Sequence, residues 1–446
     1  MKIFLFSFIL VQQSFLFSSE ISFSPIFKYY SESQGGHWSI DSEPIYTMGA
    51  GLEYIYINKK LKIRGSFTNN RFFGIRTSPN RFNKLKGIAY SSPHELLGKK
   101  FDYDISLMEL SYIEDNFNIN IGTFIHQWDP AKSSIIISNK SPNFPSIGFN
   151  YKINNFLNFK YLHGRLKSSV KDEGRSDLYG SKFYEESRYL VGHQLEIFIN
   201  DFFKLGFGEL VVYGNRSIEL SYLMAFMPFW STQHYLGDLD NLQWNLVAEY
   251  TPFENFNLFG TVIIDELSPG KIFEKNNRNW IGWQFGFNKN DFLLNKSNLN
   301  FEYSWTDHRI YRHRFPINDY YSWGYPIGFW AGPHAQEFYI DYNIQFENNL
   351  ISISYSDAKR GELTEQMMID QYQTRYYDRF SNITEDKKST IIKYIRKLNK
   401  KVNVELGFNY IDWKNAGFNP FDSNQDISQL KNLEKKSLSI NILYNY

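Results

Sequence analysis

The stretch Ser437–Tyr446, SLSINILYNY, alternates: Leu438, Ile440, Ile442, Tyr444 and Tyr446 share one face, while Ser437, Ser439, Asn441 and Asn445 share the other. A period of two is the signature of a β-strand with one apolar and one polar face. The pattern recurs upstream. Val402, Val404, Leu406, Phe408 and Tyr410 alternate with Asn403, Glu405, Gly407 and Asn409; Phe338, Ile340, Tyr342, Ile344 and Phe346 alternate with Glu337, Asp341, Asn343 and Gln345. It returns at Leu299, Phe301, Tyr303 and Trp305, at Ile281, Trp283, Phe285 and Phe287, and at Leu242, Trp244, Leu246 and Tyr250. A soluble sandwich would also alternate. Many of these runs, however, last about ten residues, the span a tilted strand needs to cross a bilayer, and aromatic residues cluster near the strand ends, where a membrane barrel carries its girdles. The polar faces hold Asn, Gln, Glu and Gly, which suit a wet lumen, and the last strand ends on an aromatic residue, Tyr446. In lipid such a sheet must close, because an open edge leaves backbone groups unpaired in hydrocarbon.

Composition agrees. Aromatic content is 19% of 446 residues, yet mean hydropathy is -0.44. Beyond the first 17 residues no run reaches the roughly 18 apolar residues of a transmembrane helix. The 48 Lys+Arg against 47 Asp+Glu give a formal charge of +1, which favours neither nucleic acid nor an anionic surface as partner. The absence of Cys excludes disulfide scaffolds and thiolate zinc sites and fits an oxidising compartment.

Lys2, the apolar run Ile3–Val11 and the small residues Ser18 and Ser19 have the order of a secretory signal, with cleavage within about residues 18–21. Residues 1–19 are therefore read as a signal peptide and 20–446 as a single all-β domain. The domain is a transmembrane antiparallel β-barrel of the Gram-negative outer membrane. Counting runs gives 16 to 19 strands, and the even number expected of such barrels makes it 18. Tight, Asn-rich connections at Asn58–Lys60, Glu114–Asn116, Asn154–Asn155, Asn200–Asp201, Glu254–Asn255 and Asn348–Asn349 read as periplasmic turns. Between them lie long extracellular loops, at 70–100, 127–146, 167–187, 226–239, 266–278, 309–333, 358–388 and 412–433. A few short helices are expected. Glu362–Tyr377 lacks Pro and Gly, and Ile218–Phe226 reads as either strand or helix.

Catalytic signatures are weak. His94 opens His-Glu-Leu-Leu-Gly, but Gly98 stands where a zincin needs its second His. No Gly-x-Ser-x-Gly elbow, phosphate loop or calcium loop occurs. Asp102 and Asp104 share a strand face and could pair as catalytic carboxylates, although two solvated acids on a lumen face are the commoner explanation. His308 and His313 with Asp307 make a poor metal set. No cofactor is implied. What stands out is aromatic rings among planar polar groups in two long loops. One holds Trp128, Asp129, Asn139 and Asn143; the other holds Trp305, Asp307, Arg309, Tyr311, Arg312, His313, Arg314, Trp323, Trp330 and His334. Such sets bind sugars, with a ring against the pyranose C–H face and charged or amide groups bridging hydroxyls; an interfacial belt with ordinary loop charge has the same composition.

The stretch Gly122–Ser146, GTFIHQWDPAKSSIIISNKSPNFPS, resembles the Trp-x-Pro, Ser-Leu-Ile-Leu-Ser-Asn and Pro-x-x-Pro signature of the capsule-assembly Wzi family through Trp128, Pro130, Ser134, Ser138, Asn139, Pro142 and Pro145. His193–Gly214, Leu258–Glu266 and Tyr325–Tyr342 follow in the same order, and residues 20–100 match less clearly. The resemblance implies a monomeric surface lectin without catalytic residues, its lumen plugged by loops and helices, which retains capsular polysaccharide or exopolysaccharide at the cell surface. Its expected site is Trp128, Asp129, Asn139, Glu209, Asp265, Asp307, Arg312, His313, Trp323, Trp330 and His334. Parity turns Asp265, which shares a face with Asn257 and Thr261, into the lumen, and leaves Glu209 on either face. Besides the polysaccharide, the expected partners are outer-membrane lipid, lipopolysaccharide and, through the C-terminal strand, the barrel-assembly machinery. The alternative function is a porin-like channel for sugars or other small solutes, with conductance as the discriminating property.

Overall fold

The computed structural model describes residues 19–75, 79–89, 100–172, 174, 184–272, 274–370, 377–422 and 424–445. The export signal lies, up to residue 18, outside the described residues, as do His94, Gly98 and Tyr446.

Among the described residues twenty strands are formed, in chain order β1 (Ser19–Glu32), β2 (Ile45–Asn58), β3 (Leu61–Phe73), β4 (Lys100–Ile113), β5 (Phe117–Gly122), β6 (Ser146–Lys152), β7 (Leu157–Arg165), β8 (Arg188–Asn200), β9 (Phe203–Gly214), β10 (Asn241–Phe253), β11 (Phe256–Glu266), β12 (Trp280–Asn290), β13 (Ser297–Thr306), β14 (Tyr321–Ser322), β15 (Tyr325–Pro326), β16 (Ala335–Phe346), β17 (Asn349–Gly361), β18 (Thr384–Lys397), β19 (Val402–Ala416) and β20 (Lys431–Asn445). The two-residue strands β14 and β15 pair only with each other. The other eighteen form one antiparallel sheet, each strand bonded to its sequence neighbours, and β1 also pairs with β20 through Ile26–Glu32 against Asn445–Ser439. That pairing closes the barrel. Two short helices, α1 (Phe229–Tyr235) and α2 (Glu365–Ile369), lie in loops, and among the described residues no helix is long and apolar enough to cross a membrane.

Parity sorts the faces as the alternation requires. Phe27, Leu52, Phe67, Met108, Ile121, Phe285, Phe338, Ile353, Ile392, Leu406 and Leu438 are exposed on the outer wall, while Gln194, Asn245, Gln284, Asn300, Glu302, Asp341 and Asn409 are buried within. An apolar exterior around a polar interior is the arrangement of an outer-membrane barrel. Sequence placed 19 candidate strand starts, and the surplus one, at Ile218, is a loop with a single 3₁₀ turn, Leu220–Leu223. Several strands run further than their apolar alternation. On β17–β19 the outer face continues as charge, with Lys359–Asp386 at 3.7 Å and Asp357–Lys388 at 3.4 Å as cross-strand pairs. These residues read as loop because alternating charge carries no apolar signal. Asp102 and Asp104 are corrected in the same way: they face outward, not into the lumen. Arg71 Nη2 donates to Asp102 at 2.6 Å and Asn69 Nδ2 to Asp104 at 2.7 Å.

Among the described residues, three long loops fold into the barrel at its extracellular end: L2 (described at 74–75 and 79–89), L3 (123–145) and L7 (307–334), joined by the shorter L1 (33–44). Their apolar side chains, Phe82, Trp128, Ile135, Ile310, Tyr311 and Phe329 among them, form the main core with Leu162, Leu190, Leu210 and Trp280 from the wall. The turns at the opposite end are short, and the lumen there is open: Arg64, which shares a face with the inward-facing Thr68 and Asn70, has a side chain 57% exposed.

With Ile442 on the same outward parity as the exposed Leu438 and Asn441 facing the lumen cavity, Ile442→Arg should cost about 2–4 kcal/mol at mid-membrane depth. Asn441→Arg should be tolerated. The fraction of heat-resistant folded barrel on gels reads both, and equal loss would refute the register.

Candidate functional site

The interior loops are built by hydrogen bonding as much as by apolar contact. In L3, Asp129 accepts from Ala131 N–H at 3.2 Å and from Ser134 Oγ at 2.8 Å, and Ser134 Oγ accepts from the amides of Ile136 and Ile137. The L3 backbone docks on the wall where Glu302 accepts from Lys132 N–H at 2.7 Å and Ser133 N–H at 3.1 Å, and Lys132 Nζ reaches Asp341 at 2.6 Å. L7 locks onto L3 through Tyr311, whose hydroxyl donates to the Ile135 carbonyl at 2.5 Å and accepts from Phe329 N–H at 3.0 Å. Gly328 stands at this crossing because a Cβ there would lie 2.4 Å from both the Ile135 carbonyl oxygen and the Tyr311 hydroxyl.

Lysines tie the remaining loops to the wall. Lys140 Nζ donates to the carbonyls of Asn83 at 2.8 Å and Leu85 at 3.0 Å, Lys387 Nζ to that of Phe82 at 2.9 Å, and Lys435 Nζ to those of Gln34, Ser39 and Asp41 at 3.1, 2.6 and 2.8 Å. An ammonium surrounded by carbonyl oxygens is a favourable use of a buried lysine, since each donor meets an acceptor in a medium of low dielectric.

The residues expected to bind polysaccharide are not gathered in one place: Asp307 and His334 line one cavity and Asp265 and His313 another, while the rest lie apart from both. Trp128 and Trp330 are 5% and 6% exposed within the core. The Trp330 ring packs 5.2 Å from Phe82 and its Nε1 donates to Glu337 at 2.7 Å, so the ring is held inside the barrel. Asp129 is buried and engaged as described; Asn139 is exposed. Asp265 points into the lumen as parity required and accepts from Gln243 Nε2 at 3.3 Å. Asp307 pairs with Arg309 at 2.8 Å, Arg312 with Asp319 at 3.1 Å, and the His313 ring accepts from Phe315 N–H at 3.2 Å. Trp323 and Gly324, with φ of 56° and 71°, make the turn between β14 and β15, a ribbon turn that needs two such residues. His334 stacks on Phe380 at 5.0 Å, and its Nδ1 lies 2.8 Å from the Glu362 carbonyl. Burial pushes the imidazoles of His313 and His334 down to about 4, so both rings are neutral.

Glu209 faces outward. Loop 215–240 folds back over the outer wall of β7–β10 and buries Tyr222 and Phe229 against Tyr161, Val211 and Tyr213. Glu209 sits beneath it, accepting from Phe229 N–H at 2.5 Å, Trp230 N–H at 3.2 Å, Trp244 Nε1 at 3.0 Å and His193 Nε2 at 3.0 Å. The loop's other side exposes Leu220, Met224, Phe226 and Trp230.

Open space in the lumen follows the wall of β16–β20. One cavity of about 230 Å³ lies between L1, L2 and Trp330 on one side and β16–β18 on the other, lined by His37, Lys84, Tyr339, Ser352, Ser354 and Lys393 among others. A second, of about 510 Å³, lies toward the short-turn end and is lined by Gln345, Asn348, Lys397, Asn403, Glu405 and Asn441 among others. Lys393 of the first and Glu405 of the second are joined at 2.9 Å. Sequence reasoning did not single out this wall. The serine alternation of β17, Ser352, Ser354 and Ser356, was its visible sign. The three adjacent isoleucines Ile135–Ile137 were the sign that L3 folds inward, since an exposed loop has no reason to carry them.

No protein-family model matches the chain, and no curated protein matches it. Among solved structures it is similar to OccK7 (OpdD) of Pseudomonas aeruginosa, at 8% identity over 96% of this chain and 99% of that one with a TM-score of 0.48. It is similar also to OccAB2 of Acinetobacter baumannii, at 11% identity over 96% and 98% with a TM-score of 0.49, and to OprD of Pseudomonas aeruginosa, at 10% identity over 96% and 95% with a TM-score of 0.45. Likeness at this level concerns the fold alone. The resemblance to the capsule-assembly Wzi family is thereby corrected: no family model matches, and the solved structures named above are Occ and OprD proteins. The surface-lectin reading is corrected with it; two of its rings, Trp128 and Trp330, are core residues of the interior loops.

Burial raises the Asp129 carboxyl from its usual 3.8 to about 7. Between those values the folded protein holds a proton that the unfolded chain has released, so stability falls as pH rises through this window and is level above it. The histidines held at about 4 act in the opposite sense over part of this range, so the Asp129 contribution is read as a difference: the urea midpoint of the protein relative to that of Asp129→Asn should be lower at about pH 8 than at about pH 5. Trp330→Ala, which empties a core site and takes a donor from buried Glu337, should cost about 3–5 kcal/mol in the same titration; a loss under about 1 kcal/mol would mean that the ring is not core.

Proposed function

We propose that the protein is a non-enzymatic, porin-like channel for small polar solutes in the outer membrane of a Gram-negative bacterium, exported through its N-terminal apolar segment. The observation that carries this reading is the wall of β16–β20, where two cavities lined by Ser, Asn, Gln, Lys and Glu side chains are joined by the Lys393–Glu405 pair. Porin lumens are polar and hold water, and a passage confined to one wall by inward loops restricts what passes by size and by hydrogen bonding.

Planar-bilayer recording of the detergent-folded barrel tests the reading directly. Stepwise conductance is expected, and silence in every preparation would overturn it. Lys393→Glu, which places two carboxylates at the junction of the cavities, should move the zero-current potential toward cation selectivity; an unmoved potential would put the ion path elsewhere.

A further inference from the structure

We propose that the cavity between the inward loops and β16–β18 is the channel's selection site, and that it takes a small, uncharged solute rich in hydroxyl groups. This rests on the channel reading above and assigns the chemistry of what passes.

The cations around the cavity are already engaged. Lys84 Nζ lies 3.0 Å and 3.2 Å from the two Glu337 oxygens, and Lys393 is paired with Glu405. Lys387 donates to the Phe82 carbonyl, and its ammonium lies 3.6 Å from the centroid of the Trp413 ring. The Glu337 carboxylate also accepts from Trp330 Nε1 and Ser356 Oγ. What remains facing the space is neutral. The hydroxyls of Ser352, Ser354 and Ser389 have no hydrogen-bond partner among the described residues, and Leu85 and Ile391 add apolar surface.

A second observation points to a ligand. His37 is 9% exposed, lines the cavity, and its Nε2 is buried without a partner. Burial, reinforced by Lys387, Lys393 and Lys435, holds this imidazole well below its ordinary range, so it is a neutral ring. An unpaired buried polar atom costs free energy unless a guest satisfies it. A hydroxyl suits this ring and these serines because it both donates and accepts. A carboxylate or an ammonium would surrender hydration on entering, and it would meet Lys84 and Lys393 already paired with carboxylates and Lys387 already held by a carbonyl and a ring. At about 230 Å³ the space falls below the roughly 300–1,000 Å³ of sites for drug-sized ligands, which sets the solute as a small one.

Proteoliposomes offered glucose, gluconate and glucosamine test the proposal, since the three share a carbon skeleton and differ in charge. Bilayer conductance is recorded on the same protein. Glucose should permeate fastest. Ser354→Val should lower its advantage about fivefold, the weight of one hydrogen bond, whereas Ser354→Thr, equal in shape to Val but keeping the hydroxyl, should retain it. Conductance with gluconate or glucosamine permeating as fast as glucose, or an unchanged ratio in Ser354→Val, would overturn the inference and leave the channel standing. Absence of both conductance and permeation would overturn the channel and the selection site together.

Discussion

The barrel depends on one seam. Seven residues of β1, Ile26–Glu32, pair with Asn445–Ser439 of β20, and without them both strands would present unpaired amides and carbonyls to hydrocarbon. Closure also gives each strand position a side, so that a single parity places Ile442 in lipid and Asn441 in water. The seam is reinforced from inside by Glu32, which accepts from Tyr30, Asn409 and Ser437. A buried carboxylate with three donors is satisfied without a cation of its own.

Inside, the two ends of the barrel solve different problems. Near the short turns the lumen stays open, and polar side chains need no protein partner. Near the long loops the backbone itself enters the barrel, and its carbonyls and amides must be met by the wall, which is why Glu302, Gln284 and the lysines donate to or accept from L2 and L3 main chain. The outer wall shows the inverse arrangement at β7–β10, where His163, His193 and Glu209 occupy positions that elsewhere face lipid. Loop 215–240 covers them and offers Met224, Phe226 and Trp230 in their place.

The strands were legible in the sequence because period-two alternation is a local property that lipid on one side and water on the other impose residue by residue. Eighteen strands, the tight Asn-rich turns and the inward aim of Asp265 all follow from it. The site was not legible. Trp128 and Trp330 sit among Asp, Asn and Arg, a composition shared by a sugar platform on the surface and by a hydrogen-bonded loop turned inward. Only contacts distant in sequence, such as Trp330 with Phe82 or Tyr311 with Ile135, separate the two. Ser354 and His37 were equally silent, because a serine on a polar face and a lone histidine acquire meaning only from what stands opposite them.

Lys435 sits in the final strand, yet the three carbonyls it holds belong to the loop after the first. Lys387, two strands earlier, grips the second long loop from β18. The loops threaded early are thus fastened by side chains that arrive late. A chain stalled before β20 can seat its later loops but leaves loop 33–44 unlatched, so the last strand that closes the wall also fastens the first loop it encloses.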